Sequence, residues 1–141
     1  MQQTAPMLGP VIALVLWTFV MWTWMYLTRI PAIQKARMRL DPAAPRGAQM
    51  NELPPSVRWK ADNYNHLFEM PTLFYAVALS LAILGDFSMI SLALAWAYVG
   101  LRIVHSIWQA TINVIVPRFA LFTLSSLVLM VLTVRAALLV F

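Results

Sequence analysis

The sequence contains no cysteine and very little charge. Cysteine is absent from all 141 residues, which excludes disulfides, thiolate metal sites and cysteine nucleophiles. Charged residues make up 11% of the chain, whereas a soluble domain carries about 25%. Between the charges lie apolar stretches of about 20 residues, the length that spans a hydrocarbon core of ~30 Å. This pattern excludes an ordinary soluble enzyme and a disordered region.

Acidic residues are particularly scarce, and the basic residues are unevenly placed. Five Asp and Glu against ten Lys and Arg give a net charge of +5. Seven of the ten basic residues lie between positions 29 and 60. By the positive-inside rule, the loop 29–55 is cytoplasmic and both termini lie outside. The basic balance therefore indicates membrane topology and not a nucleic-acid-binding surface. The short loops and small size suggest a bacterial inner membrane.

Motifs for several common reactions are also missing. The four glycines are scattered, so no loop can cradle a phosphate. Only two histidines occur, and neither has a partner at a metal-ligand spacing. Hydrolase, kinase and zinc motifs are absent. We therefore expect no metal and no soluble-enzyme chemistry.

The apolar stretches predict four transmembrane helices at about 8–28, 56–84, 89–114 and 117–140. No Lys or Arg precedes the first stretch, so we expect a retained helix there and not a signal peptide. Pro71 predicts a kink in the second helix. Short connections after that helix indicate an all-α, up-down four-helix bundle that forms a single membrane domain over residues 1–141.

Two of the predicted helices carry polar side chains at helical spacing, so that each set shares one face. The set on the second helix is Arg58, Asp62, Asn65 and Glu69, and the set on the third is Tyr98, Arg102, His105 and Gln109, with Asn113 one turn further on. Ionisable groups in lipid cost several kcal/mol, so they should face the bundle interior or a wet cavity. We expect both sets to line one polar pocket toward the cytoplasmic side.

Structural roles stay open for these polar residues. Glu69 can form an interhelical bridge with Arg102, and His105 can be a helix-contact histidine. Arg135, near the outer end of the fourth helix, is expected to extend to the headgroups. The polar sets would then stabilise the contacts between helices.

Two runs of the sequence resemble one membrane-protein family. They are NHLFEMPTLFYAVAL at 65–79 and AWAYVGLRIVHSIWQATINVIVPRF at 95–119. Both resemble the MAPEG family, the membrane-associated proteins of eicosanoid and glutathione metabolism. The resemblance covers nearly the whole chain and includes its length and helix layout. It implies a homotrimer that binds glutathione as co-substrate between adjacent subunits, on the cytoplasmic side.

The resemblance also implies roles for individual residues. Asn65 and Glu69 would contact the tripeptide, and Arg102 with His105 would hold its carboxylates. Arg118 would stabilise the glutathione thiolate and is the expected catalytic residue. The implied activity is that of a glutathione transferase or peroxidase whose lipophilic electrophiles arrive from the bilayer.

Three residues depart from the pattern of the glutathione-using members. Asp62 stands where those members have an arginine, while Gln109 and Phe122 replace tyrosines. An acid in place of a cation should weaken the binding of an anionic tripeptide. The alternative is a non-enzymatic membrane scaffold, accessory subunit or lipid-binding protein. A transporter is disfavoured because the chain lacks repeats and broken segments.

Overall fold

The computed structural model describes residues 6–86 and 88–141, and these form helices without any strand. Residues 1–5 and Phe87, which belong to the predicted domain, lie outside the described residues. The elements are α1 (Leu8–Lys35), a short 3-10 helix (Gln49–Glu52), α2 (Pro55–His66), α3 (Met70–Ile83), α4 (Met89–Thr111) and α5 (Ile115–Val140).

Four helical segments are long and apolar enough to cross a membrane. They are α1, the pair α2 and α3 taken together, α4, and α5. Large apolar side chains cover their outer surfaces: Ile83 is 86% exposed and Leu138 is 77% exposed. An apolar exterior on this scale is expected of helices that face lipid. The protein is therefore a multi-pass, all-α membrane bundle.

The second crossing differs from the single kinked helix predicted over 56–84. It consists of two helices, and the segment 67–69 between them is not helical. Proline has no N–H to donate, so a continuous helix would leave the carbonyl four residues before Pro71 without its usual donor. Phe68 and Glu69 donate instead to carbonyls three residues back, those of Asn65 and His66. The break thus covers residues 67–69, and α3 begins at Met70 with Pro71 in its first turn. The expectation that the chain lacks broken segments is therefore wrong.

The other helix ends also differ from the predicted bounds. The first helix continues to Lys35, well beyond the predicted end at residue 28. The helix α4 ends at Thr111 because Asn113 adopts a left-handed conformation with φ of 54°. The helix α5 begins at Ile115, and its Pro117 lies in the first turn, where proline is tolerated.

The helix α4 forms the centre of the bundle. It packs against α5, α2 and α1, while α3 packs against α1 and α5. Leu14, Phe74 and Leu132 are fully buried at these contacts. Phe74 stacks on Tyr98 with ring centroids 4.6 Å apart, which joins α3 to α4.

Lys60 joins three helices at the end of the bundle where α2 begins. Its Nζ donates to the Ala110 carbonyl of α4 at 3.2 Å and lies 5.1 Å from the centre of the Trp24 ring of α1. A cation at a helix C-terminus also interacts favourably with the helix dipole. This side chain therefore holds the last turn of α4 close to α2.

Arg135 performs a similar function at the opposite end. Its Nε donates to Ser91 Oγ at 2.8 Å, and its Nη2 donates to Ser88 Oγ at 3.0 Å. Two of the three guanidinium nitrogens of Arg135, which is expected to extend to the headgroups, thus bond within the bundle. Buried donors need partners, and the two serines at the start of α4 supply them.

Candidate functional site

The polar face of α4 lies inside the bundle. Tyr98 and Arg102 have no exposed surface, His105 is 2% exposed and Gln109 is also buried. Because α4 is central, this face is covered by α2 and α5 rather than by lipid. The interior of the bundle is therefore polar toward the end where α4 terminates.

The polar face of α2 points away from the bundle interior. Asp62, Asn65 and Glu69 are exposed on the outside of the chain, so they do not share a pocket with the polar face of α4. The expected Glu69–Arg102 bridge is wrong: within the described chain Glu69 pairs instead with His66, through Oε2 and Nδ1. The two residues are three positions apart, a spacing that brings their side chains together at the end of α2.

Arg102 is a fully buried guanidinium that no carboxylate neutralises in the part of the chain described. Its Nη2 donates to the backbone carbonyl of His66 at 3.3 Å. In a continuous helix that carbonyl would accept a hydrogen bond from the Met70 N–H. The break before Pro71 removes this donor, and Arg102 replaces it. Its Nε and Nη1 have no hydrogen-bond partner among the described groups. The residue supports the end of α2 from inside.

A cavity of about 270 Å³ lies beside Arg102, between α2, α4 and α5. Its lining consists of His66, His105, Gln109, Ile115, Arg118, Phe119 and Phe122. His66 lies at the end of α2. The other six residues lie on α4 or α5, within about two turns of the 112–114 connection. We call this cavity the α4–α5 pocket. Of the five residues expected at the site, it contains Arg118 and His105 but not Asn65, Glu69 or Arg102.

The position of Arg118 is fixed by the connection between α4 and α5. Arg118 lies in the first turn of α5, and its Nη1 donates to Asn113 Oδ1 at 2.6 Å. Asn113 can accept this bond because its left-handed backbone turns the chain sharply between the two helices. The N-terminus of α5 adds the partial positive charge of a helix dipole. An anion beside Arg118 would thus be stabilised both by the charge of the guanidinium and by the helix dipole of α5.

The imidazole of His105 forms the inner wall of the pocket. Its Nε2 lies 3.2 Å from Gln109 Oε1, one turn further along α4. The His66 ring lies 5.3 Å from the His105 ring and 5.4 Å from the Phe122 ring. Two imidazoles and one guanidinium therefore converge on a small volume, with an aromatic ring on the opposite side.

The lining suits an anion inside and an apolar molecule at the opening. Histidine, arginine and glutamine line the interior, and no carboxylate does. Phe119 is 66% exposed and Ile115 is 68% exposed, so the opening is apolar and faces outward from the chain. No group of three metal-ligating side chains occurs within residues 6–86 and 88–141.

A comparison with protein-family models gives one match. The MAPEG family model matches residues 7–138, nearly the whole chain. The chain belongs to the MAPEG family. No curated protein and no solved structure matches it individually. The fold and the family therefore agree, and the activity of this MAPEG protein has to be argued from its own residues.

Two contributors to the pocket were missed from the sequence. His66 was considered only as a metal ligand, although the H-x-x-E spacing before a proline could have indicated a contact with Glu69. Asn113 was assigned to the polar face of the third helix as its last member. Its ability to adopt a left-handed conformation five residues before Arg118 was the available signal.

Proposed function

We propose that this MAPEG protein is a glutathione-dependent transferase or peroxidase of the bacterial inner membrane that acts on lipophilic electrophiles. The observation that carries the proposal is the placement of Arg118, which Asn113 holds at the edge of a pocket without acidic lining. In this role Arg118 stabilises the glutathione thiolate.

The chemistry requires a cation near the sulfur. A free thiol has a pKa of about 8.5, and only its thiolate is strongly nucleophilic. The Arg118 guanidinium and the start of α5 both favour a negative charge at the α4–α5 pocket. Phe122, in place of a tyrosine, offers no hydroxyl there, so charge stabilisation falls to Arg118.

The remaining expected residues fit a site completed by a neighbouring chain. Asn65 and Glu69 are exposed on the outer face of the second crossing. We propose that Asn65 contacts glutathione bound between adjacent subunits of a homotrimer, and that Glu69 acts on the site through His66, with which it is paired. His105 lines the pocket and is available to a glutathione carboxylate. Arg102, being buried, would act through its positive charge and through the His66 carbonyl it holds.

The electrophile would enter from the lipid side. The exposed Ile115 and Phe119 form an apolar opening that faces outward. A lipophilic molecule can therefore approach the sulfur without crossing the polar interior. This arrangement separates the two substrates by polarity, with the anion inside and the apolar partner at the membrane.

The proposal is tested by enzyme assays of the protein purified in detergent. Glutathione is supplied with chlorodinitrobenzene for transferase activity and with cumene hydroperoxide for peroxidase activity. Arg118→Ala should lower kcat/KM by about 100-fold, the usual effect of removing one group that stabilises a developing anion. Arg118→Lys should retain part of the activity. Arg46→Ala removes an exposed loop arginine and serves as the control.

The alternative function predicts a different outcome. Asp62 is exposed on the same face as Asn65, and its charge opposes the binding of an anionic tripeptide. A wild-type protein that neither binds glutathione nor turns over either substrate would support a non-enzymatic scaffold, accessory subunit or lipid-binding protein.

A further inference from the structure

His66 and Glu69 form a hydrogen-bonded pair at the break in the second crossing. Nδ1 of the imidazole contacts Oε2 of the carboxylate. The two side chains differ in environment: that of His66 is 21% exposed and lines the α4–α5 pocket, whereas that of Glu69 is 64% exposed. The pair therefore connects the pocket with the outer surface of the chain.

The carboxylate determines which ring nitrogen of His66 carries the proton. A carboxylate only accepts hydrogen bonds, so Nδ1 is the protonated nitrogen of the neutral ring. Nε2 is then left with a free lone pair and can accept a proton. The same relation, in which a carboxylate orients a histidine that acts as base, recurs in enzymes on unrelated folds.

The surroundings hold the pair in place. Glu69 lies three residues after His66, a spacing that brings the two side chains together, and the Glu69 N–H donates to the His66 carbonyl at 3.3 Å. Arg102 donates to that same carbonyl from α4. Both the side chain and the backbone of His66 are thus fixed, as a base in a catalytic site requires.

The charges around His66 explain why a carboxylate is needed. Arg102 donates to its carbonyl and the His105 ring lies beside it from α4, Arg118 lines the same pocket from α5, and Glu69 pairs with it from its own segment. The two guanidinium groups repel a positive charge on the ring. Glu69 is the only acid among these groups, so it alone attracts that charge.

We propose that His66 accepts the thiol proton of glutathione, with Glu69 as its positioning residue. This step rests on the proposed function. The proton passes from sulfur to His66 Nε2, and the S–H electron pair stays on sulfur as a thiolate beside Arg118. The thiolate then forms a C–S bond with chlorodinitrobenzene, and chloride leaves with its bonding pair. The imidazolium then releases the Nε2 proton to water, which restores the Nδ1-protonated neutral ring.

The experiment compares Glu69→Gln and His66→Gln with wild type. Glu52→Gln is the control, because it makes the same chemical change at an exposed loop residue. Glutathione Kd, thiolate formation by ultraviolet absorbance, and kcat for conjugation across pH are measured for each protein. We expect both test variants to lower kcat by about 100-fold, a typical contribution of general-base catalysis, while Kd changes by less than about twofold.

The pH profile separates positioning from a merely structural effect. Rates of both variants should recover at alkaline pH, where hydroxide removes the thiol proton, and Glu52→Gln should follow wild type throughout. An unchanged kcat in Glu69→Gln would overturn the role of Glu69 as positioning residue for His66, while the proposed function would still stand. A rise in Kd with unchanged kcat would also overturn it and assign Glu69 to direct glutathione contact. A wild type without glutathione turnover would overturn both proposals.

A spectroscopic measurement tests the pair without any activity. The chain has two histidines, so the His105→Gln protein carrying ¹⁵N-histidine reports on His66 alone. We expect the Nδ1-protonated tautomer of the neutral ring, and its loss when Glu69→Gln is added. An Nε2-protonated ring in the presence of Glu69 would contradict the assignment.

Discussion

Arg118 and Asn113 are joined by a hydrogen bond of 2.6 Å from the guanidinium Nη1 to the amide Oδ1. Asn113 ends α4 in a left-handed conformation, and Arg118 lies in the first turn of α5. The two residues therefore convert a tight interhelical turn into a fixed position for a cation. Of the three helices that border the α4–α5 pocket, α4 and α5 are joined by this turn.

Asn113→Gly removes the acceptor and leaves the turn possible. Glycine adopts the left-handed conformation without steric cost, so α4 should still end at the same place. A hydrogen bond to a charged group contributes about 1.5–3 kcal/mol, and loss of part of it should lower kcat/KM by about tenfold. The assay is glutathione conjugation, with Asn51→Gly in the exposed 3-10 turn as control. Equal rates for wild type and Asn113→Gly would show that Arg118 needs no anchor.

Ser91→Ala tests the polar contact at the opposite end of the bundle. The buried Ser91 accepts from Arg135 Nε at 2.8 Å, and its loss leaves a part-buried donor without a partner. Such a loss costs about 1–3 kcal/mol. Thermal unfolding in detergent should show a clear decrease in stability. Ser80→Ala, which removes only an exposed bond to its own helix, should change stability by less than about 0.5 kcal/mol. Equal melting of the two variants would argue against a stabilising role for the Arg135 contact.

The absence of cysteine makes the topology directly testable. A single introduced cysteine is a unique label, so Ala43→Cys reports on the first loop and Leu84→Cys reports on the connection before α4. The positive-inside rule predicts that an impermeant maleimide applied to intact cells labels Leu84→Cys only. Ala43→Cys should react once the membrane is opened. The reverse labelling pattern would mean that the first loop lies outside.

The exposed polar face of α2 leads to a prediction about assembly. Asp62, Asn65 and Glu69 occupy the outer surface of a segment otherwise apolar enough to cross a membrane. Polar groups facing lipid cost free energy that contact with other chains can offset. Native mass spectrometry should therefore detect three chains of 16.0 kDa in one particle. A monomer at every detergent concentration would be inconsistent with a site shared between subunits.

The membrane crossings could be predicted because they depend on a simple physical length. The charge-free stretch at 8–28 and the apolar stretch at 117–140, whose charges are Arg118 and Arg135, indicate helices whatever their neighbours, since a bilayer imposes the same span on each. The inward direction of the α4 polar face could not be derived in the same way. Both polar faces have similar composition, and only packing determines that one is covered by helices and the other lies outside.

The details of the site depended on two local backbone features. Pro71 predicted a kink, but not that Glu69 would pair with His66 instead of Arg102. Asn113 was expected to continue a helix, whereas it ends one. The Asn113–Arg118 contact follows from a change of backbone direction, which periodicity alone does not contain.

The most direct test of the account is glutathione binding by the detergent-purified protein, measured as a thermal shift. Ligand at 100 times its Kd should stabilise the folded state by about 2.7 kcal/mol. We predict a clear shift for wild type and for Arg46→Ala, and a much smaller shift for Arg118→Ala. The absence of any shift in wild type would contradict the central claim. This MAPEG protein would then have kept the membrane fold without a glutathione site.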